Sequence, residues 1–408
     1  MPIEFFPTVF APNPLAVSQD ASARTRVSQS TTQFDGKILN ADNPLIWDRK
    51  GTGTGAFAAN KFNMSVTAGQ YYIRQAKVFS NYLSGKSQQI EVTFDDFAPQ
   101  ANVVKRVGYF SSNAVAPYDA NYDGFWIEND GTTITLKVVR AGTETLSVPI
   151  TSWTGYSDLA EYQTLANWNN FTVVEFDFLW LGGAVLRMFI KTSQGFVLAH
   201  IFNHAGSAQD LMILSPNQPV RYEIRSTTGS GAFHTICSQV TTEGSINESG
   251  FNNSGSSLLT AGVPSQTVAT VATKYAVCGV RKKSTHRDAP VRVSGAEMIV
   301  HTVNDLLRWE VILNPKLSAP LTWTAITNSS CEIGVSGAVT AISITASGGR
   351  VLRSGFLAQQ QPVPDGILDL DFLSKPGCTI DNVMDEIVLC ATPLTSAITL
   401  NGALNWQE

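Results

Sequence analysis

The sequence predicts an all-β chain: two antiparallel β-sandwich domains, jelly-roll or lectin-like, behind an extended N-terminal arm. Three observations carry that expectation. Polar and apolar residues alternate with a period of two in segment after segment; Gly, Asn and Pro punctuate those segments; and long helical periodicity is scarce.

Taken in order, residues 1–35 are rich in Pro, Ser, Thr and Ala, and Pro2, Pro7, Pro12 and Pro14 block a helix. They are expected to form an extended arm. Residues 36–243 read as the first sandwich. Gln89 to Phe94 alternates so that Ile90, Val92 and Phe94 share one face, and Thr133 to Val139 repeats the pattern. Val174, Phe176, Phe178 and Trp180 share one face of the next segment, with Glu175 and Asp177 on the other. Gly182-Gly183 then signals a hairpin into Val185 to Ile190, followed by Phe196 to Phe202 and Pro219 to Arg225. Gly51-Thr52-Gly53-Thr54-Gly55 reads as a flexible loop. Residues 244–264, dominated by Gly, Ser and Asn, are expected to be a linker. The strand pattern resumes over 265–408, the second sandwich, from Tyr275 to Val280 through to Glu386 to Cys390. Ser157 to Trp168 has room for one short helix, and Asp305-Leu306-Leu307 for one helical turn.

Composition narrows the function classes. At 408 residues, 43% hydrophobic and 15% charged, the chain has core enough for two domains and too little charge for disorder. A net charge of −5 supplies no broad positive field, so a nucleic-acid partner is not expected. The basic group Arg281, Lys282, Lys283, His286 and Arg287 reads as a solvated loop. The most apolar stretch, Phe176 to Ile190, contains Asp177 and Arg187 and is too short for a membrane span. Five scattered cysteines without a CxxC pair read as core residues of a chain made in a reducing cytosol. Met1 to Phe6 carries Glu4 and lacks the basic region of a signal peptide.

Candidate chemistry is sparse. Glu175 and Asp177 are two apart on one strand, so their carboxylates share a face at roughly 7 Å; a glycosidase would need a further carboxylate facing them. His200 and His204 have a metal-like spacing of four, but along a strand that separates them by about 13 Å. Gly85-Lys86-Ser87 lacks the first glycine of a phosphate loop, which would fall at Ser80, and reads as a hairpin turn. No catalytic residue, cofactor or metal site is expected. The candidate glycan contacts are Glu175 and Asp177 with the aromatics Tyr122 and Trp126, for stacking on sugar rings.

Several phrases together resemble a large family of tailed-bacteriophage virion structural proteins. They are Tyr72-Ile73-Arg74-Gln75 followed by Gly85-Lys86-Ser87-Gln88; Val107-Gly108-Tyr109-Phe110; Gly124-Phe125-Trp126-Ile127; Asp177-Phe178-Leu179-Trp180; and Phe202-Asn203-His204-Ala205. Pro219-Val220-Arg221-Tyr222-Glu223-Ile224, Leu307-Arg308-Trp309, Ser354-Gly355-Phe356 and the terminal Leu404-Asn405-Trp406-Gln407-Glu408 continue the likeness. It runs in order over 36–408 and carries no catalytic role. It implies a particle-surface protein, as capsid decoration, head fibre or tail component. The implied partners are other virion proteins and further copies in a homo-oligomer; the implied location is the virion, after synthesis in the host cytoplasm. Two rivals stand beside this: a carbohydrate-binding adhesin that contacts host surface glycan, and a polysaccharide depolymerase.

Overall fold

The computed structural model describes residues 29–37, 40–244, 250–257, 266–301, 306–336, 341–345, 348–358 and 375–408. Most of the expected arm, 1–28, lies outside them. The chain is all-β, with antiparallel sheets packed in pairs.

Two sheets build the first sandwich. The first sheet runs, in spatial order, Gly195–Asn203, Val185–Thr192, Thr172–Leu179, Gln88–Asp95, Gly231–Glu243, Lys61–Val66 and Thr54–Ala58, with Ser30–Asp35 also paired to Gly231–Glu243. The second sheet runs Thr143–Pro149, Ile134–Arg140, Asp123–Asn129, Val103–Ser111, Val220–Ser226, Tyr71–Ala76 and Trp47–Gly51. The period of two decides what lies between them. Ile90, Val92, Phe94, Val174, Phe176 and Phe178 of the first sheet are buried against Val107, Tyr109, Phe125, Ile127 and Tyr222 of the second. Phe125 meets Phe176 and Phe178 with ring centroids 5.2 and 5.0 Å apart, so the two inner faces interlock through aromatic rings. The predicted hairpin forms between Thr172–Leu179 and Val185–Thr192, and Gly182 supplies the left-handed φ of +88° that its turn requires.

The second sandwich pairs a small sheet, in which Ile398–Gln407 lies between Arg292–Val300 and Asn252–Ser256, with a larger one. The larger runs Thr322–Ala325, Cys331–Val335, Tyr275–Lys282, Ile387–Pro393, Leu306–Leu313 and Arg350–Ala358. Trp406, Leu404 and Leu400 pack against Val277 and Leu389 across the gap. A side chain at Gly402 would collide with both of the latter, so the sheets touch there through bare backbone.

Four expectations are corrected. Ser30–Asp35, placed in the arm, is a strand of the first sheet, held by antiparallel pairing to Gly231–Glu243. The supposed linker contains the strand Asn252–Ser256, because the end of the chain offers it an edge at Ala403 to Gln407. The glycine-rich stretch at 51–55 is ordered: Gly51 ends one strand, Gly55 lies in the next, and a Cβ on Gly55 would strike the Tyr72 ring. Leu306 and Leu307 open a strand rather than a helical turn. The helical segment expected between Ser157 and Trp168 consists of short turns around Ala160–Gln163.

Charges shape the outer face of the second sheet. Glu223 is fully buried and receives hydrogen bonds from Arg221 Nη2 (2.8 Å), Arg106 Nη1 (2.7 Å), Tyr122 Oη (2.8 Å) and Arg225 Nε. Burial by itself would raise its pKa, but the guanidiniums of Arg221, Arg106 and Arg225 outweigh burial and hold it well below the usual carboxylate range. The folded form is therefore favoured while Glu223 is ionised. That contribution is complete above an unfolded-state value near 4.5 and is lost as pH falls toward the depressed folded value. Replacing Glu223 by alanine removes the carboxylate that three guanidiniums share: Arg106 keeps Glu128 at 2.6 Å and Arg225 keeps Asp119 at 3.8 Å, while the buried Arg221 loses its pairing with Glu223. We expect a loss of about 3–5 kcal/mol in urea unfolding at neutral pH, shrinking when the same comparison is made near pH 2.

Candidate functional site

The first sheet turns its other face outward, and its strand register can be read as rows of side chains. Gln239, Glu91, Glu175 and Phe189 form one row across four strands; Thr241, Gln89, Asp177 and Arg187 form the next. Glu91 and Glu175 are directly opposed, which puts their Cβ atoms about 4.5–5.5 Å apart, an arrangement that costs stability between like charges. Gln89 Nε2 donates to Glu175 Oε1 at 3.2 Å, and burial raises the Glu91 pKa. Asp177 is only 3% exposed, flanked in register by Gln89 and Arg187.

About 13 Å along the strand from Glu91, a second cluster forms. His234 is opposite Asp95, and its Nδ1–H donates to Asp95 Oδ1 at 2.6 Å. Lys61 pairs with the other carboxylate oxygen. The carboxylate thus fixes the imidazole orientation from one side, leaving Nε2 as its second hydrogen-bonding atom on a side chain 28% exposed. Phe171 lies at the same end of the sheet. Thr172 opposes Phe94 with its side chain in the core, and Phe171, the residue before that strand, is 57% exposed. A flat apolar ring at the sheet end that carries a carboxylate, an imidazole and an ammonium offers the two kinds of contact a sugar takes: a C–H face that packs on aromatics, and hydroxyls that need donors and acceptors.

The four residues predicted as glycan contacts do not form one site. Glu175 and Asp177 lie on the outer face of the first sheet, whereas Tyr122 and Trp126 lie on the opposite side of the sandwich. Trp126 is 3% exposed, with its ring 4.7 Å from that of Phe110 and 5.4 Å from that of Tyr122. Tyr122 donates to Glu223 and accepts from Arg106 Nη1 at 3.0 Å; burial and the Glu223 charge push its pKa up to about 12. These aromatics are framework because the charged cluster beneath them needs a cover. His200 and His204 are occupied too: the Thr154 N–H donates to His200 Nδ1 at 3.2 Å, and His204 Nε2–H donates to the Asp210 carbonyl at 2.7 Å. No group of three metal-ligating side chains occurs among the described residues, and no helix among them is long and apolar enough to cross a membrane.

Sequence reasoning missed Asp95, His234 and Phe171. Asp95 and His234 are 139 positions apart, and their pairing exists only through the strand register. Phe171 carries a weak signal: it begins an alternating run one step out of phase with Val174, Phe176 and Phe178.

No family model matches the chain, and neither does any curated protein sequence. Solved structures with a similar arrangement include a legume lectin-like domain from Entamoeba histolytica, at 12% identity and TM-score 0.32, covering 52% of this chain and 97% of that one. A carbohydrate esterase of the Shiga toxin-encoding bacteriophage phi24B matches at 12% and 0.32, covering 53% and 100%. Bacillus licheniformis β-glucanase matches at 11% and 0.32, covering 54% and 100%. The likeness is one of antiparallel β-sandwich architecture.

The division between surface and framework is measurable. Phe171→Ala should leave unfolding free energy within about 0.5 kcal/mol of the parent, whereas Trp126→Ala should cost about 3–5 kcal/mol, both by urea titration.

Proposed function

We propose that this chain is a surface protein of a tailed-bacteriophage particle whose first sandwich presents a carbohydrate-binding face. The binding half of the reading is carried by one observation: the exposed Phe171 ring at the end of the sheet that carries the Asp95–His234 pair and Lys61. The virion half rests on the resemblance over 36–408. Its charged positions are framework here: Arg74 stacks 3.7 Å over the Trp47 ring and reaches Asp42 at 2.7 Å, and Arg221 holds Glu223. That fits a family whose shared phrases specify a scaffold. On this reading the chain is not an enzyme. Its partners are other virion proteins, further copies of itself and a host surface glycan.

A second reading, cleavage of the bound polysaccharide, has a specific observation behind it. Glu91 stands beside Glu175 on the neighbouring strand and brings a third carboxylate to the sheet face of Glu175 and Asp177. Release of new reducing ends by the purified chain, abolished in Glu175→Gln, would establish cleavage in place of simple binding.

The test of binding is titration of the full chain against purified bacterial surface polysaccharides. Phe171→Ala and His234→Ala should each weaken binding about tenfold or more, a change of 1.4 kcal/mol. Unchanged affinity in both variants would remove the site. Gold-labelled antibody on purified particles addresses the other half: label on head or tail assigns the location, and absence of the protein from intact particles ends the virion reading.

A further inference from the structure

Alternation along the strand Val103–Ser111 buries Val103, Val107 and Tyr109, and it places Lys105 among them on the inner face. This lysine is fully buried. The next strand repeats the arrangement: Phe125 and Ile127 face inward, and so does Asn129, also fully buried. Lys105 and Asn129 are directly opposed in the register, so their Cβ atoms stand about 4.5–5.5 Å apart. Both side chains end at the same short turn. Lys105 Nζ donates to the Asp96 carbonyl and, at 3.4 Å, to that of Ala98; Asn129 Nδ2 donates to the intervening Phe97 carbonyl at 2.5 Å. The Gly131 N–H donates to Asn129 Oδ1 at 2.8 Å, and Asp96 Oδ1 lies 3.9 Å from Lys105 Nζ.

We infer that Lys105 and Asn129 join in an intramolecular amide bond, with Asp96 carrying the proton. A lysine directly opposite an asparagine, both at inward positions, departs from the apolar pattern that these strands otherwise keep, and such departures mark functional positions. Burial lowers the Lys105 pKa to about 8, against the opposing pull of Asp96, so the neutral amine that an attack requires is populated near neutral pH. Nζ attacks Asn129 Cγ. The Gly131 N–H already polarises that carbonyl and is placed to stabilise the oxyanion that forms on Oδ1. The Nζ–Cγ bond forms and the Cγ–Nδ2 bond breaks; Asp96 takes a proton from Nζ and returns one to Nδ2, which leaves as ammonia. One amide replaces another, ammonia is the product released, and no oxidant or reductant takes part. The flanking Phe97, Val103, Val107 and Ile127 are core residues, so water is kept from competing for the acyl carbon. The product closes residues 105–129 into a covalent ring, and the two strands cannot then part fully when the chain unfolds. This inference is independent of both the sugar-binding face and the virion reading.

The experiment is mass spectrometry of the denatured full chain, intact and after tryptic digestion. An intact mass short of the sequence mass by one ammonia is expected, with a branched peptide that joins residue 105 to residue 129. Lys105→Met should retain the full mass, and Asp96→Asn should leave most chains unlinked. If Lys105→Met does not fold, the parent chain and Asp96→Asn carry the comparison. A parent mass equal to that of the sequence, with Lys105 and Asn129 recovered in separate peptides, would make Lys105 a cap on the turn carbonyls and overturn the bond. Ammonia loss without the branched peptide, as from an asparagine that has cyclised on its own backbone, would overturn it equally.

Discussion

A carboxylate buried among three guanidiniums governs how this protein uses its surfaces. Glu223 projects from the outer face of the second sheet, where side chains would ordinarily meet water, and Arg221, Arg106 and Arg225 converge on it. Such a cluster is tolerable away from solvent only if its remaining donors are also satisfied. The loop after Val103–Ser111 does that. The Tyr118 carbonyl accepts from Arg221 Nη2 and Arg225 Nη2 at 3.1 and 3.0 Å, and the Pro117 carbonyl accepts from Arg225 at 2.8 Å. Held in this way, Tyr118 packs with Ile73 and with Ile380 of the second half.

The second half therefore docks where the first has already been covered. Asp48 accepts the Ile380 N–H at 2.7 Å, Asp381 takes Tyr118 Oη and Lys50, and Phe79 packs with Cys378 and Met384. Asp288 reaches back to Ser215 and Arg287 to Ser111. One outer face of the sandwich is thereby committed to structure. The other, on the first sheet, keeps partly exposed polar groups in register, with the exposed Phe171 ring at the end of that sheet. Glu91 and Glu175 are directly opposed there, a pairing of like charges that costs stability.

Much of the fold was legible because alternation is a local signal. Ile90, Val92, Phe94, Val174, Phe176 and Phe178 announce one buried face, and Gly182 announces the hairpin between Thr172–Leu179 and Val185–Thr192. The strands at 30–35 and 252–256 were not legible. Their mostly polar sequences become strands only because Gly231–Glu243 and Ile398–Gln407 present unsatisfied edges to them. Within the basic run, Ser284–His286 is an exposed turn, but Lys282 and Arg287 misled for a related reason: charge is a sign of solvent only until a neighbouring surface offers carbonyls, hydroxyls and rings to receive it.

The sequence by itself determined an all-β chain and the face on which each strand residue stands, because a period of two needs no knowledge of neighbours. Tertiary structure alone decided which aromatics are framework and which are surface. Trp126 reads as a sugar platform in the linear sequence and Phe171 carries no such reading; Trp126 roofs a buried ion cluster, and Phe171 is exposed at the sheet end where a histidine and an aspartate are brought together across 139 positions. Strand order and register create that pair, and they depend on long-range backbone pairing that no local pattern encodes.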